Sequence, residues 1–280
     1  MSHPRELVTA AARRLADAGV ASPEHDARAL LAHVVGVDHG RLPLVRNVSA
    51  GQVAAYDALV ARRAAREPLQ HLTGITHFRN VDLLVGPGVF VPRPETELLA
   101  GWAVEQVEGM DEPVIVDLGT GSGAMAKAIA HEVPTARVHA VELDEGAHAW
   151  AARNLAGTGV ELRHGDLADA FDDLAGTVDV VVSNPPYIPH EAWESVEVEV
   201  RDHDPELALY ATGDGLDVIR VVERRAALLL RPGGSVGVEH ADVQGESAPA
   251  VFGAAGRWDQ VRDHEDLAGR ARFLTARLAR

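Results

Sequence analysis

The sequence predicts an α/β protein: a small helical bundle, a short β linker, and then a mostly parallel sheet of seven strands covered by helices. Three observations carry this reading. From Pro113 onward, short apolar runs alternate with helical stretches. Two of the runs, Val114-Ile115-Val116 and Val180-Val181-Val182, lack polar alternation, as strands buried on both faces do. Before them, residues 4 to about 67 repeat apolar side chains at helical spacing.

In the first stretch the apolar positions are Leu7, Ala11 and Leu15, then Ala27, Leu30, Leu31, Val34 and Val35. Ser22-Pro23-Glu24 reads as a helix start, with Ser as N-cap and Pro in the first turn. Gly19 and Gly36 fall where helices stop, and a further helix from about Ser49 to Arg66 ends before Pro68. Residues 1–70 thus form a helical domain without a catalytic motif. Residues 71–97 form a linker of short β segments and turns, in which Phe78, Val81, Leu83 and Val85 sit among Gly74, Gly86, Pro87 and Gly88. Pro92-Arg93-Pro94 fixes an extended turn before a helix carrying Leu98, Leu99 and Trp102. In residues 98–280 the strands fall at Val114–Leu118, Arg137–Glu142, Val160–His164, Val178–Ser183 and Ser235–His240. Arg257–Asp263 and Arg270–Leu278 then close the sheet as an antiparallel pair.

Composition narrows the function. The 280 residues carry a formal charge of −16, which opposes nonspecific binding to a nucleic acid backbone. Cysteine is absent, so disulfides, thiolate metal sites and thiol nucleophiles are excluded. No apolar run approaches the roughly 20 residues of a membrane helix, and the N-terminus lacks a secretory core, so the expected location is cytoplasmic. Fourteen histidines show no metal-ligand spacing, and no metal is expected. Ser122 and Ser183 lie outside any Gly-x-Ser-x-Gly nucleophile turn. The acidic run Glu191–Asp204 reads as a solvated face, or as a segment that orders over a substrate.

Asp117-Leu118-Gly119-Thr120-Gly121-Ser122-Gly123 ends the first strand and enters a helix. Glycine is needed where a ligand touches backbone, and a helix start offers free N–H groups. Glu142, at the end of the second strand, is placed to accept from both hydroxyls of a ribose. The Gly-x-Gly-x-Gly spacing favours a nucleoside cofactor over a dinucleotide, and no Gly-Lys-Ser/Thr supports a Walker-type phosphate site.

Asn184-Pro185-Pro186-Tyr187 follows the fourth strand, at the carboxyl edge where open α/β sheets bind ligands. Asn184 offers an amide oxygen and Pro185 a carbonyl, two acceptors for the two hydrogens of a planar NH2 group. Two successive prolines stiffen the support, and Tyr187 covers the flat face of that group. Holding both hydrogens aims the nitrogen lone pair at an electrophilic methyl, and the acceptors stabilise charge growing on nitrogen.

These two elements together resemble class I S-adenosylmethionine-dependent amino-methyltransferases, which have a Rossmann-like, seven-stranded, mostly parallel sheet. Within them the chain resembles the HemK/PrmC family through Gln70–Gly74, Phe78, Gly88–Glu97, Asp214–Asp217 and Leu230–Gly234. The resemblance implies S-adenosyl-L-methionine as cofactor, held by Gly119, Thr120, Gly121, Ser122, Gly123 and Glu142, with Asp166 and Leu167 beside the adenine and Asn184 at the methyl. It implies methylation of the glutamine side-chain amide in the Gly-Gly-Gln motif of class I peptide chain release factors, with residues 1–70 expected to dock that protein. Asn184, Pro185, Pro186, Tyr187 and Phe90 would then surround the substrate, with Asn184, Pro185 and Tyr187 at the chemistry. Three positions depart from the family: Glu142 for the usual Asp, Leu167 where some relatives carry an aromatic, and Ala211-Thr212-Gly213 for a commoner Gly-Gly. Two alternatives stand beside this reading: an adenine or cytosine amino-methyltransferase of DNA, and a cofactor-binding adaptor without catalysis. The negative charge weighs against the first and the intact Asn184–Tyr187 against the second.

Overall fold

A computed structural model describes residues 2–195 and 198–280; Met1, Val196 and Glu197, the last two within the acidic run, lie outside the described residues. The chain divides into two compact units, Met1–Ile75 with Glu197–His203, and Thr76–Val196 with Asp204–Arg280.

The first unit contains α1 (Pro4–Asp17), α2 (Pro23–Val35), α3 (Ala50–Ala64) and α4 (Leu69–Thr73). Both α1 and α2 carry proline in the first turn, and Gly36 ends α2 in the left-handed conformation that glycine adopts without strain. Ser49 and Gln52 form a reciprocal capping box at the start of α3. Leu15, Leu30, Leu31, Val48, Tyr56 and Val60 fill the core, and the Tyr56 hydroxyl donates to the Ala27 carbonyl at 2.9 Å. A later helix, α8 (Val198–His203), belongs to this unit as well.

The segment expected as a linker, 71–97, starts in a helix, because His71–Thr73 belong to α4, and continues as β1 (Ile75–Phe78) and β2 (Val81–Leu84), a hairpin of two strands. Val89-Phe90-Val91 lies outside the regular strands, ahead of α5 (Thr96–Gln106). Then follow β3 (Val114–Leu118), α6 (Ala124–Glu132), β4 (Arg137–Glu142), α7 (Glu145–Leu155), β5 (Glu161–His164) and β6 (Val178–Ser183). A short parallel pair, β7 (Ile188–Pro189) and β8 (Tyr210–Ala211), brackets α8 and α9 (Glu206–Leu209). The chain ends with α10 (Asp217–Leu229), β9 (Leu230–Glu239), α11 (Ser247–Ala255), β10 (Trp258–Glu265) and β11 (Ala271–Leu278).

Seven strands form one sheet in the order β10-β11-β9-β6-β3-β4-β5, parallel except for β11, as the sequence predicts. Strand side chains alternate between two cores. Ile115, Val180 and Val182 pack with α5, α6 and α7 on one face, whereas Val116, Leu118 and Val181 pack with α10 and α11 on the other. Double burial explains the unbroken apolar runs, since each fully buried Val, Leu or Ile contributes about 1.5–3 kcal/mol. The chain runs from β3 outward through β4 and β5, then returns to β6 on the opposite side of β3. Such a switch point opens a crevice at the carboxyl ends of the strands.

Candidate functional site

At the end of β3 the turn holds Gly119, Gly121 and Gly123 at φ of +75°, +58° and +84°. The three glycines face different surroundings. A Cβ on Gly123 would lie 3.0 Å from Leu155 on α7, so this glycine lets two elements pack closely. A Cβ on Gly121 would meet no protein atom within 4 Å, and one on Gly119 would touch only Leu167, at 3.9 Å. These two glycines border open space. Glu142, at the end of β4, accepts from the Gly121 N–H at 2.8 Å and from the Asp144 N–H at 2.9 Å. Gly119, Gly121, Glu142 and Leu167 are thereby gathered on one rim, with Asp166 exposed beside Leu167.

Thr120 and Ser122 are buried beneath that rim. The Thr120 hydroxyl donates to Asp117 Oδ2 at 2.6 Å, and the Ser122 carbonyl accepts from the Asn154 side chain at 2.8 Å. Both residues therefore shape the turn through hydrogen bonds within the protein. Asp117 is fully buried and its Oδ1 lacks a hydrogen-bond partner. Burial pushes its carboxyl up to about 7, against the pull of the Thr120 and Ala126 hydrogen bonds.

The second cluster lies at the end of β6. Leu118 pairs with Ser183 in register, and the Ser183 hydroxyl donates to the Leu118 carbonyl at 2.7 Å, which ties the glycine turn to the strand bearing Asn184. Asn184 Nδ2 donates to Thr96 Oγ1 at 3.3 Å, and Thr96 Oγ1 donates to Glu239 Oε2 at 2.7 Å. The Tyr187 hydroxyl donates to Glu239 Oε1 at 3.4 Å, and the Tyr187 carbonyl accepts from Gln244 Nε2 at 3.2 Å. Among the described residues no donor reaches Asn184 Oδ1 or the Pro185 carbonyl. Pro185 is buried and Pro186 half-buried, so the acceptors sit on a rigid base. Burial and the Glu239 charge push the Tyr187 hydroxyl pKa upward, which keeps it a neutral donor. Burial also pushes the Glu239 carboxyl up to about 7, opposed by the Thr96 hydrogen bond and the Arg272 charge.

Phe90 lies between β2 and α5, with the Arg93 guanidinium 4.8 Å from its ring centre. Arg93 is held in turn by Asp204, at 2.8 Å. Asp204 is therefore a buried partner and not part of a solvated acidic face. Glu199 on α8 departs from that expectation as well. It accepts from Arg63 and Arg66, each at 2.9 Å, while Arg63 also holds buried Asp26 at 2.7 Å.

Sequence reasoning passed over several residues here. Thr96 lay inside the Pro92–Glu97 motif without a role of its own. Glu239 had one signal, a lone carboxyl ending an apolar strand. Leu143, exposed directly after Glu142, is a large apolar side chain at the same sheet edge as Leu167. Among the described residues no group of His, Asp and Glu is arranged to hold a metal, and no helix is long and apolar enough to cross a membrane.

The described parts also have counterparts in known proteins. Residues 6–74 match the PrmC N-terminal domain and residues 82–201 the methyltransferase small domain. A solved methyltransferase from Pyrococcus furiosus shares the fold, with a TM-score of 0.50 at 20% identity over 80% of this chain and 98% of that one. A protein of Streptomyces pristinaespiralis named 4-amino-L-phenylalanine/4-methylamino-L-phenylalanine methyltransferase is 44% identical over 84% of this chain and 82% of its own. A release factor glutamine methyltransferase of Streptomyces coelicolor is 58% identical over 97% of both chains. With the match covering nearly the whole chain, the chain belongs to the release factor glutamine methyltransferase family.

Proposed function

We propose that this chain transfers a methyl group from S-adenosyl-L-methionine to the side-chain amide nitrogen of the Gly-Gly-Gln glutamine in class I peptide chain release factors. The observation that carries the reading is the pair of unengaged acceptors, Asn184 Oδ1 and the Pro185 carbonyl, on a proline-stiffened support.

The residues present fit the cofactor. Gly119 and Gly121 border open space that a side chain would fill, and buried Asp117 keeps an orphaned oxygen beneath the same turn. Glu142 suits ribose hydroxyls, and Leu143 and Leu167 suit the faces of an adenine. When bound, S-adenosylmethionine supplies an electrophilic sulfonium methyl. Asn184 and Pro185 accept both hydrogens of the glutamine NH2, so its lone pair attacks in line. The methyl would pass to this nitrogen as its carbon–sulfur pair stayed on sulfur, and Asn184 and Pro185 would hold the N–H groups until the surplus proton left to solvent. The same two acceptors stabilise positive charge on nitrogen while it lasts. Tyr187 and Phe90 cover the planar amide. We assign the helical unit to docking of the folded substrate: residues 1–75 hold nine arginines against seven acidic residues in a chain of net −16. A translation factor as substrate also implies a cytoplasmic location.

The relative named for an arylamine substrate offers a second reading, because its NH2 is also conjugated and would suit the same acceptors. One assay separates the two. The purified chain is incubated with labelled S-adenosylmethionine and either a class I release factor or 4-amino-L-phenylalanine. Label on the release factor alone supports the proposal, and label on the free amino acid alone overturns it. Arg13→Glu with Arg46→Glu, both exposed, should raise KM for whole release factor with kcat unchanged; an unchanged KM removes that surface from docking.

A further inference from the structure

We propose that Glu239 is a positioning residue which, through the Thr96 hydroxyl, decides which end of the Asn184 amide faces the substrate. This inference rests on the reading of Asn184 as an acceptor for the substrate NH2. A terminal amide has an accepting and a donating end, and only the oxygen suits an NH2 group. Nothing in Asn184 itself selects the right end.

The selection lies one and two groups back. Thr96 Oγ1 has a single proton, and its neighbours are Glu239 Oε2 at 2.7 Å and Asn184 at 3.3 Å. An ionised carboxylate only accepts, so the threonine proton goes to Glu239. Thr96 Oγ1 is left as an acceptor, and it takes the NH2 end of Asn184. The oxygen end is then turned the other way, open and beside the Pro185 carbonyl. A protonated Glu239 would reverse the sequence: it would donate to Thr96, the threonine proton would turn to Asn184, and the amide would present its NH2 to the substrate NH2.

The fold gives this relay rigid supports. Val238 pairs with Ser183 in register, so Glu239 and Asn184 leave adjacent strands at the same level. Thr96 opens α5, whose Leu99, Ala100 and Ala103 are locked in the core. Thr96 is 4% exposed and Glu239 2%, so solvent does not replace either bond. Among the described residues Glu239 has no ion pair, so holding its carboxylate this deeply is costly. The charged and titratable groups acting on it are Tyr187 after β6, Glu95 ahead of α5 and Arg272 on β11, with Arg93 acting on Tyr187. Burial pushes the Glu239 carboxyl up to about 7, so the ionised form is gained as pH rises through neutrality.

The test measures kcat at saturating substrates across about pH 6 to 9, with cofactor Kd by calorimetry and melting curves for each variant. The unmutated enzyme should show an acid limb centred near 7. Glu239→Gln, which cannot ionise, should lose that limb whatever its absolute turnover. Thr96→Val should lower kcat by roughly a hundredfold, with cofactor Kd and substrate KM nearly unchanged. Thr96→Ser should recover most of the loss. A Thr96→Val enzyme at full turnover, or a Glu239→Gln enzyme that keeps the limb, overturns the relay. Asn184→Ala separates the two levels. If it is slow while Thr96→Val is fast, the relay alone fails; if it turns over normally, the acceptor reading itself fails.

Discussion

Replacing Gly215 by alanine asks how firmly the acceptor segment is held from behind. Gly215 has φ +79°, where alanine costs about 1–2 kcal/mol. Its Cβ would stand 2.6 Å from the Tyr187 carbonyl oxygen, 2.8 Å from Gln244 Nε2 and 3.1 Å from Pro189 Cγ. The nearest of these is backbone, which cannot swing aside, so the Asn184–Tyr187 segment must shift by several tenths of an ångström. The Gln244 to Tyr187 hydrogen bond is lost or stretched in the process, at about 1 kcal/mol. Together these give roughly 2–3 kcal/mol of destabilisation and a displaced acceptor pair. Turnover should fall tenfold or more, as misplacements near 1 Å cost up to about a hundredfold. Cofactor affinity should change little, because Gly119, Gly121 and Glu142 lie on the other rim. Melting curves, kcat and calorimetry check the three parts. A Gly215→Ala enzyme with unchanged melting and full turnover would show that Gly215 does not wall the segment.

Three further outcomes are expected. Gly121→Val puts a branched side chain into open space at φ +58°, and calorimetry should show cofactor affinity reduced at least tenfold in a folded protein; undiminished binding would place the cofactor elsewhere. Asp117 and Glu239 both have native carboxyls raised to about 7, so the native state holds their protons more tightly and stability falls as pH rises from the ordinary carboxylate range to 7. Asp117→Asn should flatten that decline in melting temperature, and an unaltered slope would mean Asp117 does not contribute to it. Arg63→Ala leaves Asp26 buried without its partner and leaves Glu199 held by Arg66 alone, so the helical unit should lose about 3 kcal/mol or more. Hydrogen exchange across 198–203 should rise with it, and unchanged exchange would contradict a tether through Glu199.

The sheet was legible because doubly buried strands leave apolar runs that no exposed element carries. Its least regular part was not: β9 starts at Leu230, five residues before the expected Ser235, since Leu230 pairs with Val178 ahead of a break in register. The positions of Asn184–Tyr187 and the glycine turn at the strand ends were legible because each is contiguous and follows an apolar run. The supports were not, because they come from far along the chain. Glu239 reaches Thr96 across 143 residues, and Glu199 reaches Arg63 across 136. The acidic run looked solvated for the same reason: the arginines that hold Glu199 and Asp204 lie more than a hundred residues upstream. Ser122, Thr120 and Gly123 illustrate the converse. They belong to a ligand-binding motif by sequence, yet their own contacts are with Asn154, Asp117 and Leu155.

The most direct test of the account is where the methyl group ends up. A class I release factor incubated with the chain and S-adenosylmethionine, then digested and sequenced by tandem mass spectrometry, should carry one methyl on the side-chain nitrogen of the Gly-Gly-Gln glutamine. The same incubation with Asn184→Ala should leave that glutamine unmodified or slow its methylation by roughly a hundredfold or more. A methyl group on any other residue, or undiminished glutamine methylation by Asn184→Ala, would contradict it.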